Sequence, residues 1–360
     1  MEEVKLQEIC RIEKGKQIDT SQLRTDSPYK YINGGIKESG YYHEYNTDSE
    51  AVLVSEGGAS CGYVNYVNEK FWCGCHCYKL TESKTLAKYL YYALKGNQDK
   101  IMELRSGAAM PNIKKEVFKN MSLLVDFDKN NQQAIVETLD CIQKAINNKT
   151  DELLSLDELV KSRFIEMFGD IVRNDKSWTT EIITKVCPIK QYDGRITECD
   201  GKIWLLNLDL VESNTGVILD KYYVAKTEIG NSTITFSEDN VLYSKLRPYL
   251  NKVVVPDGNG YATSELIPFF PLSQVNKYYL AYALRSESFV TLINSKAGGA
   301  KMPRAPMDFI RSFSLPVPPI ELQNEFAEFV KLIDKSKFIV QQQIKGLQEL
   351  LDSKMDEYFR

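Results

Sequence analysis

NNQQAIVETLDCIQKAINNKTDELLSLDELVKSRFIEMF (residues 130–168) and ELQNEFAEFVKLIDKSKFIVQQQIKGLQELLDSKMDEYF (residues 321–359) carry one hydrophobic ladder written twice. In the first stretch Ile135, Leu139, Ile142, Ile146, Leu153, Leu156, Val160 and Met167 advance by alternating steps of four and three. Lys149 and Arg163 stand on the skipped rungs. In the second, Phe326, Val330, Ile333, Val340, Ile344, Leu347, Leu351 and Tyr358 follow the same ladder, with Lys337 and Lys354 in the gaps. A mean spacing of 3.5 residues is the seam of a coiled coil. Roughly 40 residues of helix reach about 60 Å. A pair of ordinary bundle helices is the plainer alternative, but length, matched register and basic interruptions favour long helices packed on each other. A globular segment separates them, so antiparallel pairing is the compact arrangement. Ile135, Leu139, Ile142, Leu153 and Leu156 are expected to pack against Val330, Ile333, Ile344, Leu347 and Leu351.

The repeat extends upstream of each ladder. YLYYALKGNQDKIMELRSGAAMPNIKKEVFKNMSLLV (residues 89–125) parallels YLAYALRSESFVTLINSKAGGAKMPRAPMDFIRSFSLPV (residues 279–317). Gly107, Met110 and Pro111 match Gly299, Met302 and Pro303, while Gln132 matches Gln323 and Phe168 matches Phe359. Earlier, ICRI (residues 9–12) resembles VCPI (residues 186–189) at a smaller offset, so the second copy carries extra residues in its middle. Similar frames with different middles suggest one scaffold bearing two reading surfaces.

Within each frame, residues 51–67 and 239–258 read as strands punctuated by Gly and Pro turns. Residues 86–95 and 275–293 have the spacing of amphipathic helices, with their tyrosines expected in the core and on helix flanks. Asp128 and Asn130 offer cap chemistry before the first ladder, and Pro318 with Pro319 can stop a strand and start the second. The expected division is a first domain over 1–128, a helix over 129–169, a second domain over 170–318 and a final helix over 319–360.

Composition sets bounds on function. Hydrophobic residues make up 43% and charged residues 26% of the 360, ordinary for a globular chain. No apolar run approaches the roughly 20 residues of a membrane span, and MEEVKLQEIC is unlike a signal peptide. The expected location is therefore the cytoplasm, with the eight cysteines reduced. A net charge of −4 weighs against a free-standing DNA binder, although binding needs only a local basic face.

No catalytic constellation is present in the sequence. RIEKGKQ (residues 11–17) lacks the leading glycine and the Ser or Thr of a phosphate loop. No GxGxxG turn occurs, nor any Asn/Asp-Pro-Pro-Tyr/Phe element, and His43 and His76 are the only histidines. CGCHC (residues 73–77), with Cys61 upstream, raises the question of zinc. Alternation instead places Cys73, Cys75 and Cys77 on one strand face as buried apolar residues, so no metal is expected. What remains are polar, basic and Gly-rich loops at residues 13–17, 31–45, 105–115, 190–195, 243–252 and 296–304. Such loops suit base edges and phosphates, and they recur in equivalent places.

The duplicated GAAMP (residues 107–111) and GGAKMP (residues 298–303) turns, the ladders opening near NQQ and ELQ, and LVKSRFIEMFGD (residues 159–170) resemble the specificity subunits of type I restriction–modification enzymes. Residues 57–80 and LYSKLRPYLNKV (residues 242–253) look like pieces of that family's target-recognition domains. The resemblance covers nearly the whole chain. It implies an α+β fold with two target-recognition domains in a pseudo-two-fold arrangement, joined by two long antiparallel coiled-coil helices. It implies a subunit without a catalytic site that binds an asymmetric, bipartite double-stranded DNA target, one domain on each half-site. The implied partners are two methylation subunits acting on adenine and a restriction and translocation subunit. These would bring S-adenosylmethionine, ATP and Mg; no cofactor is expected in this chain and no membrane is involved. A chain serving a fused cleavage–methylation enzyme, or a protein–protein scaffold that binds no DNA, are the alternatives.

On this reading the DNA contacts in the first domain are Lys14, Lys16, Asn33, Lys37, Tyr41, Arg105 and Asn112. In the second they are Lys190, Arg195, Lys245, Arg247, Tyr249, Lys301 and Arg304. Met110 and Met302 are expected to anchor their loops rather than touch bases.

Overall fold

Asp128 starts the first long helix. Its carboxylate accepts the Asn130 N–H at 2.8 Å and its carbonyl accepts the Gln132 N–H at 2.9 Å, satisfying donors that the first turn leaves open. The helix then runs unbroken over Lys129–Phe168. The second long helix, Ile320–Phe359, follows the strand Ser314–Pro316. There the Pro319 carbonyl accepts the Leu322 and Gln323 N–H groups.

The computed structural model describes residues 1–107, 109–299 and 301–360. They fall into two units, Met1–Asp151 with Gln341–Arg360, and Glu152–Val340. Each unit therefore contains one portion of each long helix.

In the first unit, four antiparallel strands stand in the order Arg11–Lys14, Cys77–Thr81, Ala51–Ser55, Val64–Val67. A second sheet orders Gly40–Tyr42, Tyr29–Ile32 and Phe71–Cys73, the last two parallel. Glu2–Lys5 pairs with Ser122–Val125, just before the long helix. Helix Ala87–Gly96 buries Tyr89, Leu90 and Leu94. These pack in one core with Ile135, Leu139 and Ile142 of the first long helix and Leu351, Met355 and Phe359 of the second.

The second unit repeats the frame. Thr180–Ile182 pairs with Ser314–Pro316 before its long helix, and helix Lys277–Arg285 buries Tyr279, Leu280 and Leu284. Val253–Val254, Val241–Ser244 and Leu266–Phe269 form a three-stranded sheet. The divergent middle builds a five-stranded sheet from Glu198–Cys199, Lys202–Leu206, Tyr223–Ala225, Thr233–Phe236 and Gly260–Thr263. Here the two long helices run antiparallel: Asp157 pairs with Lys337, and Arg163 reaches Glu325 at 2.9 Å. Phe164 and Phe168 both meet Phe326, with ring centres 5.4 and 5.5 Å apart.

The same buried polar staple fastens each long helix to its unit. Gln132 Oε1 accepts the Leu86 N–H at 2.8 Å, and its Nε2 donates to the Asp126 carbonyl at 2.6 Å. Gln323 Oε1 accepts the Asn276 N–H at 2.9 Å, and its Nε2 donates to Pro318 at 2.7 Å and Gln274 at 3.1 Å. Both side chains are wholly buried, which backbone partners alone make tolerable.

The cysteines depart from a single strand face. Phe71–Cys73 and Cys77–Thr81 are separate strands, and Gly74 with Asn33 shapes the turn between them. The Asn33 Oδ1 accepts the His76 N–H at 3.2 Å, and a Cβ on Gly74 would lie 2.2 Å from that oxygen. Cys73 and Cys77 are buried in a small apolar cluster, and the Cys73 thiol is pushed up by its hydrogen bond to Cys77 and by burial. Cys75 sits half-exposed in the turn, its thiol 2.9 Å from Gln17 Oε1. The turn breaks the alternation because residues 74–76 have no ladder to hold them extended.

Candidate nucleic-acid interface

A tight hairpin recurs at the same place in both units. Ser106 and Asn112 bond to each other through both backbone groups at 2.9 Å, as Gly298 and Arg304 do at 3.2 and 2.9 Å. Gly107 and Gly299 take φ of +93° and +105°, a conformation open to glycine at no steric cost. Met110 and Met302, at 78% and 51% exposed, point outward rather than anchoring these turns. The anchoring falls to the backbone: the Pro111 carbonyl accepts Gly58 N–H and the Pro303 carbonyl accepts Arg247 N–H. Ala108 and Ala300, inside the GAAMP and GGAKMP turns, lie outside the described residues.

Around the first hairpin, several candidate side chains are held by the protein itself. Lys14 Nζ lies 2.7 Å from the Glu56 carboxylate, which also accepts the Tyr78 hydroxyl at 3.1 Å. Burial, with Glu56 alongside, pushes the Tyr78 phenol up. Arg105 Nε donates to the Cys61 carbonyl at 2.9 Å, and Asn33 holds its turn as described. These three act first as loop fasteners. Lys16, Lys37 and Tyr41 form no side-chain hydrogen bond or ion pair among the described residues, and Asn112 lends its backbone to the hairpin.

A cleft of about 400 Å³ lies beside Lys14 and Lys16, lined also by Arg11, Lys79 and Lys115. Glu13 is its acidic counterweight, 3.2 Å from Arg11 and 3.3 Å from Lys79. This excess of cations suits a phosphate backbone. Arg11, Lys79 and Lys115 were not among the sequence candidates. Two of them come together because Arg11–Lys14 pairs with Cys77–Thr81, setting Glu13 opposite Lys79. That pairing spans more than sixty residues, and only the outward alternation of the two strands hinted at it.

Around the second hairpin, Arg304 is engaged by Glu265 at 2.9 Å, which holds its guanidinium further above its ordinary range. Lys190 lies 3.3 Å from Asp193 and over the Phe270 ring. Arg195, Lys245, Arg247 and Lys301 carry no side-chain hydrogen bond or ion pair among the described residues, and Tyr249 is 52% exposed. The hairpin thus gathers Lys245, Arg247 and Lys301 as uncompensated charges.

Matched ladders, matched hairpins and divergent middles define a duplicated specificity scaffold. The chain belongs to the type I restriction–modification DNA specificity domain family, whose profile matches residues 1–156 and again residues 180–349. A Mycoplasma genitalium protein named "Putative type I specificity subunit" is 24% identical, covering 97% of this chain and 91% of its own length. The type I restriction enzyme EcoDI specificity subunit of Escherichia coli is 20% identical, covering 95% and 83%. The fold is shared with the crystal structure of a type I system S subunit from M. genitalium, at TM-score 0.62, 20% identity, and coverage of 100% and 96%. Among the described residues, no helix is long and apolar enough to cross a membrane.

Proposed function

We propose that this chain is the non-catalytic reader of a cytoplasmic type I restriction–modification enzyme, binding an asymmetric, two-part double-stranded DNA target with one half-site per domain. Two adenine methyltransferase subunits bind it and supply S-adenosylmethionine chemistry. An ATP- and Mg-dependent restriction and translocation subunit completes the enzyme. The observation that carries the reading is the repeated hairpin: one backbone device, fixed in each unit by the same contacts, but flanked by different polar and basic side chains. A common frame with unlike readers suits two unlike half-sites.

The long helices support the recruiting role. Within the second unit Leu154, Ile165, Leu332, Phe338 and Ile339 are 57–62% exposed on helices whose other face is packed in the core. Apolar side chains left outward on paired helices suit helices of a partner subunit.

Mapping methylated adenines across the genome of the native host tests the function. The expected result is one motif of two unlike parts, an adenine in each, separated by a fixed unspecified gap, and its disappearance when this gene is deleted. A methylation pattern unchanged by the deletion would leave the chain as a scaffold that binds no DNA.

A further inference from the structure

Gly58 and Arg247 occupy the same place in two copies of one backbone device. The Gly58 N–H donates to the Pro111 carbonyl at 3.0 Å, and the Arg247 N–H donates to the Pro303 carbonyl at 2.7 Å. The flanking contacts correspond as well. The Ile113 N–H meets the Glu56 carbonyl at 2.9 Å and the Ala305 N–H meets the Lys245 carbonyl at 2.8 Å. Gly57 bridges Asn112 where Leu246 bridges Arg304.

The place demands a left-handed backbone, with φ +77° at Gly58 and +48° at Arg247. Glycine takes that conformation freely, whereas an arginine brings its Cβ against the following carbonyl. Pro248 restricts Arg247 further. A strained non-glycine residue points to a side chain that is used. In the first unit this place faces open space, since a Cβ built on Gly58 meets nothing within 4 Å. In the second, Arg247 is half-buried, and its Nε is enclosed without a partner. Its guanidinium has no hydrogen bond or ion pair among the described residues, while neighbouring Arg304 is bound to Glu265.

We propose that Arg247 is a specificity-determining residue. Its two terminal nitrogens donate to O6 and N7 of a guanine in the half-site read by the second domain. Gly58 makes the corresponding place in the first domain silent. The proposal rests on the DNA-reading function above, with the strain and the unpartnered guanidinium as its own evidence.

The test is selection from a pool of randomised double-stranded oligonucleotides, using the full chain affinity-purified with its native subunits as wild type, Arg247→Gly and Arg247→Lys. Wild type is expected to select a two-part motif. Arg247→Gly, with its backbone relieved, is expected to melt at or above the wild-type temperature. It should lose preference for one guanine by roughly ten- to hundredfold and leave the other half-site unchanged. Arg247→Lys keeps the charge but not the fork, and is expected not to restore the preference. An Arg247→Gly motif identical to wild type overturns the proposal. So does uniform weakening on all sequences with a salt slope lowered by about 1, which marks a phosphate contact. If the wild-type complex selects no motif, the DNA-reading function itself fails, a result distinct from either.

Discussion

Gln132 and Gln323 show what a single residue contributes here. Each is a neutral amide, wholly enclosed, whose bonds all go to backbone groups that precede a helix. Truncating Gln132 to alanine strands the Leu86 N–H and the Asp126 carbonyl away from water. Leaving buried groups unpaired costs about 1–3 kcal/mol each, and partial relaxation reduces the sum. Gln132→Ala is therefore expected to destabilise its unit by about 2–4 kcal/mol, read as a lower denaturation midpoint with an unchanged slope. A loss below about 1 kcal/mol would mean that water replaces the amide. The repeat placed these glutamines at equivalent positions in the sequence, but each joins a carbonyl five or six residues before it to backbone groups 46 to 49 residues away. The methionines carry the reverse lesson. Met110 and Met302 recur in register, yet recurrence says nothing about direction, and both face solvent.

The long helices were the most legible elements because their signal is local: a period runs through each stretch, and a cap or a proline pair lies just before it. Ile135, Leu139, Ile142, Val330, Ile333 and Leu351 are buried, while Leu153, Leu156, Ile344 and Leu347 are half-buried. The ladder loses accuracy where the helices enter the globular cores. Phe164, Phe168, Met355 and Phe359 join the packing there, because those turns are covered by domain residues as well as by a helix. The small sheets were less legible, since pairings such as Tyr29–Ile32 with Phe71–Cys73 join distant segments. The basic rungs carry an energetic consequence. Lys337 in the seam is 18% exposed and pairs with Asp157, itself 33% exposed. Lys337→Met strands that carboxylate and is expected to cost about 1–2 kcal/mol, below the value for a fully buried pair because water still reaches Asp157. Adding Asp157→Leu is expected to bring stability back to within about 1 kcal/mol of the parent. A double-mutant cycle by denaturation measures the coupling, and additive losses would show that the pair contributes nothing.

Each long helix contributes to both units, so its length belongs to the recognition problem of the whole molecule. A reader of two half-sites tolerates any sequence between them but only one spacing, because the protein supplies the distance. One heptad is about 10 Å of helix, close to three base pairs at about 3.4 Å each. Seven residues also return a helix to within about 20° of its starting face, so the seam can re-form. The cut has to be made in both helices, near 151–152 and near 340–341, where one unit gives way to the other. Removing a heptad from only one would leave the two ladders unequal in length, so their register would be kept in one unit only. The doubly shortened chain is expected to direct methylation to the same two half-sites with a gap about three base pairs shorter, read by genome-wide mapping of methylated adenines. A gap that stays constant would remove the helices as the measuring device and leave spacing to the domains. Altered half-sites at constant gap would go further, placing sequence reading in the helices and not in the loops.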